Sequence, residues 1–335
     1  MACGCGSKGL TPGPDTQFVP LDGLGLSKKQ REALMGELTE KIRLERAFAR
    51  DLSGFFRRTV DEFRTSYAVA GSMPSREEQL RQFTLVMSNH LRRVYETFSG
   101  SFREQNKDLL SSLELKQEDD EEGIDELILF ALLALREETA AARAETLVTT
   151  NERQMNVAVG QARSQLAAAG EPTDNRTLAA LAATFLGRLF RARILTIAQT
   201  ETQEAAEAAK LVEAQVLAGR TPFPLRDRLG RPDNPEVAPR IVTKTWVTIG
   251  DSRVRPSHVA VNGTTIPENA IFTVGGASLR FPTDRALGAP IGETINCRCS
   301  ALYRFTRTAA GLMFLRQRQL LTDTKELREE MRFAA

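Results

Sequence analysis

Long helical periodicity over residues 26–218 is the feature that most limits the folds open to this chain. Apolar residues recur every three or four positions, as between Leu34 and Leu52, which is typical of an amphipathic helix. Glycine, proline and small polar residues interrupt the pattern at 71–75 and 170–174. Helices of this length with modest apolar stripes predict an extended bundle that packs on a partner.

The helix that follows the break at 71–75 has a recognisable start. Ser75 and Glu78 have the spacing of a capping box and predict the start of a helix. His90 lies on the apolar face of that helix, so we expect a packed core residue. The most apolar segment, 124–135, contains two acidic residues and is shorter than the roughly 18 residues that a membrane span needs. It predicts a buried core helix, and we expect no membrane association.

The composition changes after residue 218, where glycines and prolines cluster over 219–239 and helix formers become rare. Strand-like patterns follow at 241–249, 270–274, 278–281 and 299–305. We predict an α+β protein in which a long α-helical N-terminal region, about two thirds of the chain, precedes a small basic α+β C-terminal domain with a short antiparallel sheet. The expected parts are a flexible N-terminal arm (1–25), a helical assembly region (26–218), the C-terminal domain (219–311) and a C-terminal helix (312–335).

Charge is distributed unevenly along the chain. Residues 219–318 contain 15 Lys and Arg against 7 Asp and Glu, a balance of plus eight. Residues 1–218 contain 27 against 32, a balance of minus five. This asymmetry suggests that the two parts meet different partners, and it favours the C-terminal domain for any contact with phosphate groups.

Two of the four cysteines, Cys297 and Cys299, lie one residue apart at the start of the last strand-like segment. The N-terminus lacks the apolar run of a signal peptide, so we expect a reducing compartment and free thiols. A disulfide between positions i and i+2 of a strand would also close poorly. The two thiols therefore predict either a metal site or small buried core residues.

An ordered set of motifs surrounds these cysteines. A helix over 191–202 ends in Thr-Glu-Thr, and a loop follows Pro282. Over about residues 185–305 the chain resembles the phage head morphogenesis family, the Mu-type minor head proteins of tailed bacteriophages. The residues that carry the resemblance are Glu201, Trp246, Asp251, Arg253, His258, Asn262, Gly263, Asn296, Cys297, Arg298 and Cys299.

The resemblance implies a minor structural protein of a phage or prophage head, without enzymatic activity. Its expected role is in procapsid and head assembly, in association with the portal. Its expected partners are the portal, scaffold or major capsid protein, with packaged DNA as a further candidate. Its expected location is the virion, and the host cytoplasm during assembly.

The chain departs from the family pattern at the candidate metal site. Many relatives carry a Cys-x-x-Cys soon after the Asp-x-Arg, but here those positions are Arg255 and His258. Three donors remain, namely His258, Cys297 and Cys299, with Asp251 as a candidate fourth ligand for zinc. Arg255 opposes a metal, because a guanidinium beside a cation is unfavourable unless a negative group offsets it. Zinc binding and a packed, metal-free core both stay open.

Two alternative functions also stay open at this level. The C-terminal domain could be a hydrolase or nuclease that uses His258 with Asp251 or Glu293. It could instead be a DNA-binding accessory that contacts the packaged genome through the basic stretch 219–318. The charged residues Asp251, Arg253, Arg255, Glu293 and Arg298 are interpreted as ion pairs that fix loops rather than as an active site. No nucleotide-binding P-loop motif occurs, which excludes the ATP-driven packaging motor.

Overall fold

The computed structural model describes residues 28–100, 118–218, 220–225, 242–251 and 253–305. The predicted N-terminal arm and the predicted helix over 312–335 lie outside these described residues. The fold is α+β, as predicted. Its helices are α1 (Lys28–Ala70), α2 (Arg76–Phe98), α3 (Glu118–Ala169), α4 (Asn175–Leu217), α5 (Pro256–Ala260) and α6 (Ile291–Thr294). Its strands are β1 (Val242–Val247), β2 (Thr265–Pro267), β3 (Phe272–Val274), β4 (Ala277–Leu279) and β5 (Ser300–Phe305).

The ends of the long helices follow local sequence signals. The Ser75 side chain accepts a hydrogen bond from the Glu78 amide at 3.3 Å, so the predicted cap forms. The Glu78 carboxylate binds Arg81 and does not return to the cap, which leaves only one half of the capping box. Asp174 caps α4 by accepting two backbone N–H groups. Gly71 ends α1 with a φ of 65°, a conformation that glycine adopts at little cost.

The four long helices form a bundle in which α1 and α3 each pack against both α2 and α4. Buried phenylalanines fill the space between them, and His90 stacks on Phe48 with ring centroids 3.8 Å apart. His90 is fully buried, which agrees with its interpretation as a core residue, and burial lowers its pKa to about 3. None of the helices in the described ranges is long and apolar enough to cross a membrane.

Two small antiparallel sheets follow the bundle. One has the strand order β2–β1–β5, and the other is the hairpin of β3 and β4. The sequence pattern missed β2, which pairs only three residues with β1, and it missed the short helices α5 and α6. The last strand begins at Ser300 rather than at the predicted position 299, so both cysteines precede it.

A buried carboxylate joins the bundle to the larger sheet. Glu207 of α4 accepts hydrogen bonds from Lys41 of α1 at 2.7 Å, and from the Ser300 hydroxyl and the Ala301 amide of β5, both at 2.8 Å. Lys210 lies 2.9 Å from the same carboxylate and also pairs with Glu37. Two carboxylates therefore balance two ammonium groups in a site that is almost closed to solvent.

The surrounding charges lower the pKa of Glu207. Burial alone would raise it, but Lys210 and Lys41 together bring it to about 2 from 4.5. A carboxyl whose pKa is lower in the folded state stabilises the fold fully above its unfolded value. This contribution is therefore complete above pH 4.5 and is lost as the pH falls toward 2.

We predict that Glu207→Ala lowers the free energy of unfolding by about 3 to 5 kcal/mol, because it leaves two buried ammonium groups without their shared partner. Glu40→Ala is the matched control, since Glu40 makes an exposed pair with Arg43 in α1. The control should change stability by less than about 0.5 kcal/mol. Urea unfolding measures both variants, and equal losses would contradict a special role for Glu207.

Candidate metal centre

Three of the predicted ligands come together in the C-terminal part of the structure. The Nδ1 atom of His258 lies 3.3 Å from Sγ of Cys299 and 3.5 Å from Sγ of Cys297. The three donor atoms all lie within 4.8 Å of one another. These residues are between 1% and 3% exposed, so the cluster is closed to solvent.

The two cysteines are placed by the turn that precedes β5. Asn296 takes a φ of 53°, a left-handed conformation that asparagine tolerates better than most residues. The backbone N–H of Asn296 donates to the Thr200 hydroxyl of α4 at 3.2 Å, and the Gln203 side chain donates to the Cys299 carbonyl. Contacts with α4 on both sides of Cys297 therefore set the direction in which the thiols point.

His258 is oriented through its second ring nitrogen. Its Nε2 lies 3.1 Å from Glu293 Oε2, which also accepts a hydrogen bond from the Ser257 hydroxyl at 2.8 Å. With a proton held on Nε2 by the carboxylate, the ring would offer the Nδ1 lone pair to a metal bound beside the sulfurs. Trp246 packs edge-on against the imidazole with centroids 5.3 Å apart and covers the ring. A carboxylate behind a ligating histidine is a common arrangement at protein zinc sites.

The environment favours one thiolate in the pair. A hydrogen bond from the Cys299 thiol, together with the His258 imidazole and against the effect of burial, lowers the pKa of Cys297 to about 5. The same hydrogen bond and burial raise the pKa of Cys299. Arg255 lies close enough for its charge to oppose that rise, while its guanidinium donates to the Ile295 carbonyl. This arginine therefore sits beside the sulfurs as a counter-charge.

The geometry of the three donors fits zinc. Zn–S and Zn–N bonds of about 2.3 and 2.0 Å at tetrahedral angles place the nitrogen and sulfur roughly 3.5 Å apart. The two nitrogen–sulfur distances in this cluster, 3.3 and 3.5 Å, are close to that value. His258, Cys297 and Cys299 would hold the ion, and it would lock α5 to the turn that precedes β5. A closed structural site normally has a fourth ligand, which the described residues do not bring to the cluster.

Asp251, the candidate fourth ligand, is placed elsewhere. Its carboxylate lies 2.5 Å from the Arg298 guanidinium and also accepts the Arg253 amide at 3.0 Å. Asp251 is therefore engaged in an ion pair and in a turn. This placement agrees with its interpretation as a residue that fixes a loop.

Two further residues from the motif set, Asn262 and Gly263, also form a turn. The Asn262 side chain accepts the Thr248 amide, and Gly263 takes a φ of 80° in a turn closed by Thr264 and Val261. This turn leads from α5 into β2 rather than joining two adjacent strands directly.

Glu201 belongs to a second cluster, away from the thiols. The Arg285 guanidinium lies 2.8 Å from both of its carboxylate oxygens and also binds Glu204. Arg143 of α3 contacts the same two glutamates. The loop that carries Arg285 includes Thr283, whose φ of 75° is unusual for a β-branched residue. Glu201 therefore fixes the loop after Pro282 against the bundle.

Sequence reasoning does not identify the residues that support the cluster. It offers Glu293 as a catalytic base or an ion-pair partner, and it gives no role to Thr200, Gln203 or Ser257. The signal that could have found them is the Thr-Glu-Thr-Gln run at 200–203, whose polar side chains are buried on a helix. Four successive buried polar residues need hydrogen-bond partners, but the sequence does not identify those partners.

Comparison with known proteins returns no match: protein-family models, curated proteins and solved structures all lack a significant similarity to this chain.

We predict about one zinc per chain after reconstitution, measured by elemental analysis of the purified full-length protein. Cys297→Ser/Cys299→Ser should lose the metal and melt at a lower temperature than the wild type, because the ion links α5 to the turn before β5. Cys3→Ser/Cys5→Ser removes the same number of thiols and should retain the zinc. A wild type without zinc, or equal loss of zinc in both variants, would contradict the site.

Proposed function

We propose that this chain is a minor structural protein of a tailed phage or prophage head, and that it acts in head assembly in association with the portal. One observation carries the proposal: motif residues that are spread over 201–299 in the sequence form one connected structure. Thr200, Gln203 and Glu201 of α4 each hold a different part of the C-terminal motif, through Asn296, Cys299 and Arg285.

The helical bundle supplies a surface suited to assembly. Its four long helices contain between 23 and 52 residues, and long exposed helices can pack on a partner helix or groove. The C-terminal part would be the compact module that orders the end of α4. In this proposal the protein resides in the virion, and in the host cytoplasm before assembly is complete.

Co-expression tests the proposal. The chain is produced with the portal, scaffold and major capsid proteins of the phage genome that encodes it, and procapsids are purified by sedimentation. We expect the chain to sediment with procapsids at a few copies per particle, and to be reduced when the portal is omitted. Failure to sediment with any particle, while the chain alone is folded and soluble, would overturn the proposal.

A hydrolase is the second candidate, because Glu293, His258 and a thiol lie in the order of orienting group, base and nucleophile. Against it, both sulfurs are almost fully buried, so a substrate would need the covering loops to open. The proposed assembly role predicts that His258→Ala melts at a lower temperature and that the wild type does not turn over ester, peptide or nucleic-acid substrates. Turnover that His258→Ala abolishes without loss of stability would establish the enzyme instead.

A further inference from the structure

Arginines are concentrated around the middle of α1. Residues 46–60 of this helix include four arginines and one acidic residue. The facing stretches 85–94 of α2 and 186–194 of α4 add two and three arginines and no acidic residue. This concentration stands out because residues 1–218 as a whole have a balance of minus five.

Four of these arginines line a groove between α1 and α2 with a volume of about 540 Å³. Arg93 binds Asp51 across the groove. Arg50, Arg58 and Arg92 are exposed and make no ion pair with any residue in the described ranges. Asn89 and Leu85 complete the exposed lining between the two helices.

A second cavity lies on the other flank of α1, against α4, with a volume of about 260 Å³. Arg57 and Arg191 line it together with Asp61, which pairs with Arg64, and both lining arginines are exposed and unpaired within the described part of the chain. Arg57 and Arg58 are neighbours in α1, so the two cavities flank the same turn of the helix. The five unpaired residues Arg50, Arg57, Arg58, Arg92 and Arg191 are called the arginine belt.

Several of the cations that the structure describes in the C-terminal part are used internally. Arg285 and Arg298 bind carboxylates, Arg255 binds a backbone carbonyl, and the buried Lys244 donates to the Arg280 carbonyl at 2.6 Å. A polyanion could bind these groups only by breaking the interactions that hold the domain together. Within the described ranges, these four cations are therefore less available to a polyanion than the unpaired arginines of the bundle.

The chemistry of the arginine belt suits phosphate groups. Guanidinium groups bind phosphate oxygens with two parallel hydrogen bonds, and several unpaired cations close together repel one another until an anion offsets them. Arg50 and Arg58 are separated by about 12 Å along the helix axis, so an extended polyanion can reach both, whereas a single carboxylate cannot. The aromatic rings at the second cavity, Phe56 and Phe190, are buried and cannot stack on bases.

We propose that the arginine belt binds the sugar–phosphate backbone of nucleic acid without reading its base sequence. Contacts made only to phosphates position a protein on nucleic acid and have little sequence preference. This site is separate from the basic stretch 219–318 that the charge balance favoured. The inference does not depend on the proposed head-assembly role, since it uses only the charges and cavities of the bundle.

Fluorescence anisotropy with a mixed-sequence DNA duplex tests the site on the full-length protein. The groove variant is Arg50→Ala/Arg58→Ala/Arg92→Ala. We expect its affinity to fall at least about tenfold at low salt. Between about 50 and 200 mM salt, the slope of log affinity against log salt should become shallower by about 0.9 for each phosphate that the variant no longer neutralises.

The matched control is Arg43→Ala/Arg64→Ala/Arg81→Ala. It makes the same change in net charge on the same two helices, but each of its arginines pairs with an acid three residues earlier. The control should bind within about twofold of the wild type, and circular dichroism should show both variants equally helical. Absent wild-type binding, or an equal fall in affinity in both variants, would overturn the proposal. Poly-glutamate that competes as well as DNA would instead identify an acidic protein as the ligand and would also overturn it.

Discussion

The buried carboxylate of Glu207 is the group on which the two parts of the protein depend. Its partners come from α1, from α4 itself and from β5: the two helices supply the charges, and β5 supplies two uncharged hydrogen-bond donors. A buried carboxylate that loses a hydrogen-bond donor costs about 1 to 3 kcal/mol for each bond left unmade, so the arrangement favours the complete assembly over either part alone. Helices and sheet should therefore unfold together, although their sequences have such different character.

The second half of α4 extends this dependence to the candidate metal centre. Almost every residue over 200–217 is buried, because the bundle covers one side of the helix and the C-terminal part covers the other. Thr200 and Gln203 hold the backbone on either side of Cys297. The separation of the thiols from His258 is thus fixed by the packing of a helix almost one hundred residues away in sequence. A metal would strengthen an arrangement that hydrogen bonds already define.

The sequence predicted what depends on local signals. The long helices follow from apolar periodicity, from breaks such as 170–174 and from the Ser75 cap, which acts within four residues. Strand β2 was missed because three residues form a strand only when β1 is beside them. The partners of Asp251 could not be predicted from the sequence either. A carboxylate among several arginines can pair with any of them, and only the folded chain shows that Arg298 is the one.

Electrostatics shows most clearly why a charge balance is a weak guide to binding surfaces. Several described cations of residues 219–318 are engaged in interactions that fix loops, such as Arg285 with Glu201 of the bundle. The net acidic bundle nevertheless exposes unpaired guanidinium groups, because its acids lie elsewhere or pair within one helix turn. A polyanion binds to the cations that stay unpaired after folding. A carboxylate neutralises a cation effectively only when the two groups lie within a few ångströms of each other. Among the described residues, that criterion assigns Arg285 and Arg298 to internal fixation and leaves the five residues of the arginine belt open to an external anion.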